Sequence, residues 1–129
     1  MIQDLERAVH LVALHLDRAS LSVTQAEAHL LAQLAAGPIT VGELHHRFGH
    51  KRSTLTSILD RLEQRDYVTR TVKPDDRRTF LVALTRDGVA AARRVRKLLD
   101  TLERTLLEEV STHDFAAVTA IADALQRIK

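Results

Sequence analysis

Between residues 49 and 85 the hydrophobic period of the chain changes, and that change restricts the segment to a helix followed by a hairpin. At 100° per residue, Leu55, Ile58, Leu59 and Leu62 share one arc of a helical wheel. The pattern predicts a helix over about Arg52 to Arg65 with that side packed inward. Beyond it, Val68 to Val72 and Thr79 to Leu84 read as strands joined by the turn Pro74-Asp75-Asp76-Arg77. The outer arc of the helix carries Ser53, Thr54, Ser57, Asp60, Arg61 and Gln64. Hydroxyl and guanidinium groups there are donors suited to base edges and phosphates. Lys51 and Arg52 stand at the helix start, where they oppose the macrodipole. A phosphate at that end removes the conflict, because it is attracted by the free amides and by the cations together. A helix followed by a basic hairpin can reach a major groove and the neighbouring phosphates or minor groove at once.

Charge supports the same partner. The formal net charge of the 129 residues is only +2, but it is unevenly spread. From Arg47 to Lys97 there are 14 Lys and Arg against 6 Asp and Glu, net +8, while the remainder holds 5 basic and 11 acidic residues, net −6. A cationic middle with acidic flanks points to a polyanion such as double-stranded DNA at one surface. The alternative is a soluble domain whose uneven charge serves no ligand.

The length is that of a single domain, 1–129. Only 3% of residues are aromatic, so the core must be built from Leu, Val, Ile and Ala. With no cysteine, disulfides and thiolate metal or redox sites are excluded within the chain. No apolar run approaches a membrane span and the first residues lack a signal pattern, so a cytoplasmic protein without membrane contact is expected. The residues call for no cofactor and no metal site. They also hold no glycine-rich phosphate loop and no nucleophile elbow, so no catalytic activity is expected.

Helix signals divide the rest. Leu5, Val9, Val12 and Leu16 stripe a first helix from about Ile2 to Ala19. Thr24 with Glu27 and Thr40 with Glu43 form capping-box patterns, and Ser111 with Asp114 forms a shorter-armed one. Thr24 opens a helix with Leu30, Leu31 and Leu34 apolar, ending at Gly37-Pro38. A short helix follows from Val41 to Arg47, stopping near Gly49. After the hairpin, Asp87-Gly88 begins a long helix to about Val110, and a last one spans Asp114 to Ile128 with Phe115, Val118, Ile121 and Leu125 apolar. One small subunit cannot cover both long terminal faces, which predicts a homodimer. At the hairpin tip, Asp76 is expected to brace Arg78 by a charge-assisted bond, leaving Arg77 free to reach DNA.

The motifs Gln25-Ala26-Glu27, Ser53-Thr54-Leu55-Thr56, Asp60-Arg61-Leu62-Glu63, Tyr67-Val68, Asp76-Arg77-Arg78 and Leu84-Thr85-Arg86-Asp87-Gly88 resemble the MarR family of bacterial transcriptional regulators, in the same order and over nearly the whole chain. The resemblance implies a mainly α fold with a small β-hairpin: a winged helix-turn-helix lobe at 23–87, flanked by dimerisation helices at 1–22 and 88–129. It implies a homodimer on a pseudo-palindromic operator, usually as a repressor. Helix 52–65 would lie in the major groove and wing 73–78 near the minor groove. The expected DNA-binding residues are Lys51, Arg52, Ser53, Thr54, Ser57, Arg61, Lys73, Arg77 and Arg78, with Asp76 as wing brace. A small-molecule effector would bind between the dimer region and the DNA-binding lobe, where His10, His15 and His29 are candidates by location alone.

Three positions depart from the family pattern. Asp66 stands where glycine is usual, at a position favouring positive φ. Lys51 replaces a capping Ser or Thr, and His50 replaces a small aliphatic residue. A short stretch ahead of the first helix implies reduced dimer contacts there. The seven histidines raise a metal-sensing alternative, but their spacings do not set two imidazoles on one helix face. His45 and His46 are expected near phosphates, where protonation would strengthen DNA binding. The remaining alternative is a winged-helix module that binds protein and not DNA.

Overall fold

The structure, a computed structural model, describes residues 1–19, 21–49 and 51–128. His50, singled out above, lies outside the described residues. Six helices and a small sheet follow in the order α1 (Ile2–Arg18), α2 (Gln25–Leu34), β1 (Ile39–Thr40), α3 (Val41–Phe48), α4 (Arg52–Gln64), β2 (Val68–Lys73), β3 (Asp76–Leu84), α5 (Arg86–Leu106) and α6 (Thr112–Arg127). No helix among the described residues is long and apolar enough to cross a membrane.

The core sits where α2, α3, α4, the sheet and the first half of α5 meet. Leu30, Leu31, Leu44, Leu55, Leu59, Leu62, Val68, Val82 and Val95 are its fully buried side chains. Each contributes roughly 1.5–3 kcal/mol by leaving water. All four apolar residues of the α4 stripe are buried, so the outer arc of that helix is committed to solvent or a ligand. The sheet has the order β1-β3-β2 and is antiparallel throughout. Strand β1 is an addition to the expected hairpin. Its two residues pair Ile39 with Val82 and Thr40 with Leu81, and so bind the start of α3 to the wing.

Helix ends follow their capping chemistry with one difference. Thr24 and Thr40 accept the amides of Glu27 and Glu43, each at 3.1 Å. Neither carboxylate returns to complete its box, because each is held by an arginine elsewhere. The full reciprocal box is that of Ser111 and Asp114. Two amide and hydroxyl bonds from Ser111 hold the Asp114 carboxyl below the usual carboxylate range. Gly49 ends α3 at φ 63°, and Asp66 ends the α4 turn at φ 61°, the left-handed conformation expected of it. Lys51 precedes α4 without a side-chain cap. Helix α5 stops at Leu106, short of the expected Val110. Residues Glu108 and Glu109 donate to carbonyls three residues back, tightening the chain into turns before Ser111 starts α6.

The terminal helices are poorly covered in the single chain. Of the α1 stripe only Leu16 is buried. No residue of α6 is buried, and Val118, Ile121 and Leu125 are exposed. Among the described residues, the Gln126 amide ties α6 to the lobe by donating to the His46 carbonyl at 3.0 Å.

Candidate nucleic-acid interface

Helix α4 presents Lys51, Arg52, Ser53, Thr54 and Ser57 on its exposed side. Its first turn contains no acidic residue and its N-cap supplies no side-chain acceptor. The leading amides and the two cations therefore face outward together, an arrangement that attracts an anion. Ser57 Oγ donates to the Ser53 carbonyl at 3.0 Å. Its proton is thereby committed, so the hydroxyl turns lone pairs outward, towards donors such as the amino groups of adenine or cytosine.

Arg61 is placed differently from the other candidates. Its Nε donates to Glu27 Oε1 at 3.1 Å, while about half of the side chain stays exposed. Glu27, only 3% exposed, is the one buried charged residue among those described. Arg65 reaches the same carboxylate at 3.4 Å, donates to the Ser22 carbonyl and lies 4.8 Å from the centre of the Tyr67 ring. Arg61 of α4 and Arg65, just past its end, thus grip one buried acid of α2 and fix the angle between the helices. Sequence reasoning assigns Glu27 to a cap and misses this grip. The signal for it is a Glu with Arg61 and Arg65 one helical turn apart on the partner helix.

A second clamp sets the wing against α4. Arg70 of β2 donates to Glu63 at 2.6 Å and to Asp60 at 2.7 Å. The bond to Glu63, ahead of the cost of burial, holds the Arg70 guanidinium above its already high pKa. Asp60 and Glu63 are therefore wing supports on the flank of the helix, and the charge they carry is matched locally.

The wing tip owes its shape to a register change. Val72 pairs with Phe80, yet the next residue, Lys73, pairs with Asp76. Arg77, Arg78 and Thr79 have no opposite residues and stand out from the ladder, as in a bulge. The connecting turn is Pro74-Asp75 alone, with Asp76 and Arg77 already in β3. Asp76 supports the bulge from within. Its Oδ1 accepts the Arg78 amide at 3.0 Å and its Oδ2 the Thr79 hydroxyl at 2.8 Å. The expected bond to the Arg78 side chain is thus replaced by one to its main chain. A short aspartate can reach an amide two residues on, and two exposed guanidinium groups remain at the tip.

The amide bond foremost, with the Thr79 hydroxyl, lowers the Asp76 pKa. A depressed carboxylate contributes order above its unfolded pKa and loses it as pH falls through the lower folded value. Asp76→Ala should accordingly raise hydrogen exchange at the Arg78 amide several-fold at neutral pH, because that amide loses its acceptor. An exchange rate equal to wild type would show that the bulge holds itself.

His10 and His15 are exposed on α1, and His29 packs edge-on against Phe48 of α3, 4.7 Å between ring centres. A separate cleft of about 290 Å³ lies between α2, the end of β3 and α5, lined by Ala32, Leu84, Val89, Ala92, Arg93 and Arg96. Among the described residues no three His, Asp or Glu side chains converge as a metal site.

Two consecutive helices, α3 and an α4 whose outer face is exposed, followed by a clamped two-stranded wing, define a winged helix-turn-helix protein. The MarR family model matches residues 23–80. The solved structure of the transcriptional repressor CouR bound to a 23-mer DNA duplex is 30% identical, with a TM-score of 0.81 over 96% of this chain and 90% of that one. The chain belongs to the MarR family and carries the fold of its transcriptional regulators. It is also 39% identical over 67 residues to the transcriptional repressor MdtR of Bacillus subtilis and 43% identical over 47 residues to the uncharacterised regulator YcgE of the same organism. Those matches span 51% and 36% of this chain but only 43% and 30% of the two relatives.

Proposed function

We propose that the protein is a homodimeric, sequence-specific DNA-binding repressor that responds to a small ligand. The observation that carries this is the exposed, cationic and hydroxyl-bearing side of α4, set beside a wing whose two tip arginines project. In the dimer, two α4 helices would enter successive major grooves about one turn, roughly 34 Å, apart on a pseudo-palindrome. Arg77 would reach the flanking minor groove, with Lys73 and Arg78 on adjacent phosphates. The uncovered apolar faces of α1 and α6 support dimerisation through 1–22 and 88–129, since such surface is costly in water. MdtR is named a repressor and CouR is seen on a DNA duplex, and both fit this role. The cleft between α2 and α5, apolar with two arginines, suits a small anionic effector at the junction of the two regions.

Selection of bound duplexes from a random pool about three helical turns long tests the proposal. An inverted repeat with half-sites one turn apart is expected. DNA retained without a consensus would indicate charge-driven binding alone, and no retention would favour a protein-binding winged helix. On the selected operator, Arg77→Ala should weaken binding about tenfold and reduce the salt slope by about one per subunit. Unchanged affinity and slope would remove Arg77 from the interface.

A further inference from the structure

The terminal helices are joined to the rest of the chain by two routes, and both run to Arg65, Asp66 and Tyr67, which lie between α4 and β2. Helix α5 starts against them. The Thr85 amide donates to the Tyr67 carbonyl at 3.0 Å, and the Thr85 hydroxyl donates to the Asp66 carbonyl at 2.5 Å. Helix α1 is held far less, with Leu16 its one buried residue. Two features mark its junction with the lobe. Ser22, between α1 and α2, holds φ 58°, a left-handed backbone that a residue with a Cβ seldom adopts. Its carbonyl accepts from Arg65, and among the described residues that is the hydrogen bond joining this link to the end of α4. The same guanidinium donates to Glu27 Oε2 and to the Tyr67 hydroxyl, each at 3.4 Å, although Glu27 already has Arg61 at 3.1 Å.

We propose that Arg65 is a positioning residue that sets how each DNA-binding lobe sits on the dimer, and thereby which spacing of operator half-sites the protein accepts. The inference rests on the dimeric DNA-binding role proposed above and names the side chain that holds the lobe in place for it. In such a dimer the lobes are carried by α1 and α5. The separation and turn of the two α4 helices therefore follow from how those two routes are fixed to each lobe. One base pair added between half-sites moves a site by about 3.4 Å and turns it by about 35°, which a fixed lobe cannot follow. The α5 route is fixed by main-chain contacts, whereas the α1 route depends on Arg65. Its acceptor there is a main-chain carbonyl, which cannot swing aside as a side chain can. A guanidinium suits the task, because its rigid fork of donors serves Ser22, Glu27 and Tyr67 together. An ammonium is a point charge and would turn to the Glu27 carboxylate. The Tyr67 ring, its centre 4.8 Å from the guanidinium carbon, limits the swing of the group. Arg65 follows the last residue of α4, about 20 Å along the helix from Lys51 and Arg52, so its removal takes no contact from the end proposed to meet DNA.

Affinity of the full chain is measured for the selected operator and for the same half-sites with one base pair added or removed between them. Wild type should bind the altered spacings about tenfold more weakly, or weaker still. Arg65→Ala should narrow that gap to about threefold, mainly by weaker binding at the original spacing, because a lobe no longer preset must be ordered on binding. The gap is a ratio, so a smaller folded fraction cancels from it, and melting curves record any such fall. Arg65→Lys keeps a charge beside Glu27, and so the fold, but should narrow the gap as well. The slope of affinity with salt should match wild type in both variants, since no phosphate contact is removed. A gap as wide as wild type in Arg65→Ala would overturn the inference. Full width in Arg65→Lys alone would overturn it too, by assigning the effect to charge at Glu27 and not to the Ser22 bond. A salt slope lower by about one per subunit in Arg65→Ala would make Arg65 a DNA contact instead. Equal binding by wild type at every spacing would remove the positioning role and leave DNA binding standing. Absence of DNA binding by wild type would overturn that role, and this inference with it.

Discussion

Gly88→Ala should strongly destabilise the chain. A Cβ built on Gly88 would lie 1.9 Å from the Tyr67 carbonyl oxygen and 2.9 Å from its carbon. The obstacle is backbone, so no side chain can swing aside. That carbonyl is fixed on both sides: it accepts the Thr85 amide at 3.0 Å, and the Tyr67 amide donates to Leu62 at 2.9 Å. Relief requires α5 to move off the sheet, breaking the cap in which Thr85 accepts the Gly88 amide at 2.9 Å and donates to the Asp66 carbonyl at 2.5 Å. Against this, alanine gains about 1 kcal/mol in helix propensity over glycine. Overpacking alone costs about 1–3 kcal/mol, and here a main-chain clash and a lost cap add to it. The clash wins, with a net loss of about 3 kcal/mol or more from a total of roughly 5–15 kcal/mol. Thermal melting should fall by about 10 °C or more for a chain of this length. A melting temperature within a degree or two of wild type would mean that α5 can stand away from the sheet at no cost.

Parts of this fold and interface are legible in the amino-acid sequence, and the physical reason differs from residue to residue. The α4 stripe is legible because a buried helix face repeats at a fixed spacing, and Leu55, Ile58, Leu59 and Leu62 are all inside. Gly49 and Asp66 are legible because few residues tolerate a left-handed backbone, and both adopt one. Strand β1 is not, since two residues cannot display a period. Glu27 and Glu43 match the capping-box spacing, but spacing records only local options. The final partner of each carboxylate is decided by an arginine brought near by folding. The bulge at Arg77 to Thr79 is hidden for a related reason, because its register depends on what Asp76 binds. The cationic surface of α4 and the wing is therefore visible as composition and order, whereas the clamps that aim it are tertiary.

The clamp with the buried acid makes an asymmetric prediction. Arg61→Ala should destabilise the chain more than Glu27→Gln does, although Arg61 is half exposed and Glu27 is buried. Removing Arg61 leaves a carboxylate in the interior with only the 3.4 Å contact to Arg65. Breaking a buried pair in this way costs about 3–5 kcal/mol when no partner remains, so roughly 2–3 kcal/mol is expected while Arg65 stays. Glu27→Gln removes the charge and keeps the shape, and it frees both arginines to turn to water at a cost of about 1 kcal/mol. In the double variant the stranded carboxylate no longer exists, so its loss should be smaller than that of Arg61→Ala alone. Denaturant unfolding of the four proteins without DNA measures this cycle directly and keeps the role of Arg61 in folding separate from any phosphate contact it makes. Equal losses that add in the double variant would show that Arg61 and Glu27 do not act on each other, and that the helix angle is set by the apolar core alone. A deeper loss for Arg61→Ala that Glu27→Gln relieves would show that α4 is aimed by a charge its partner helix had to bury.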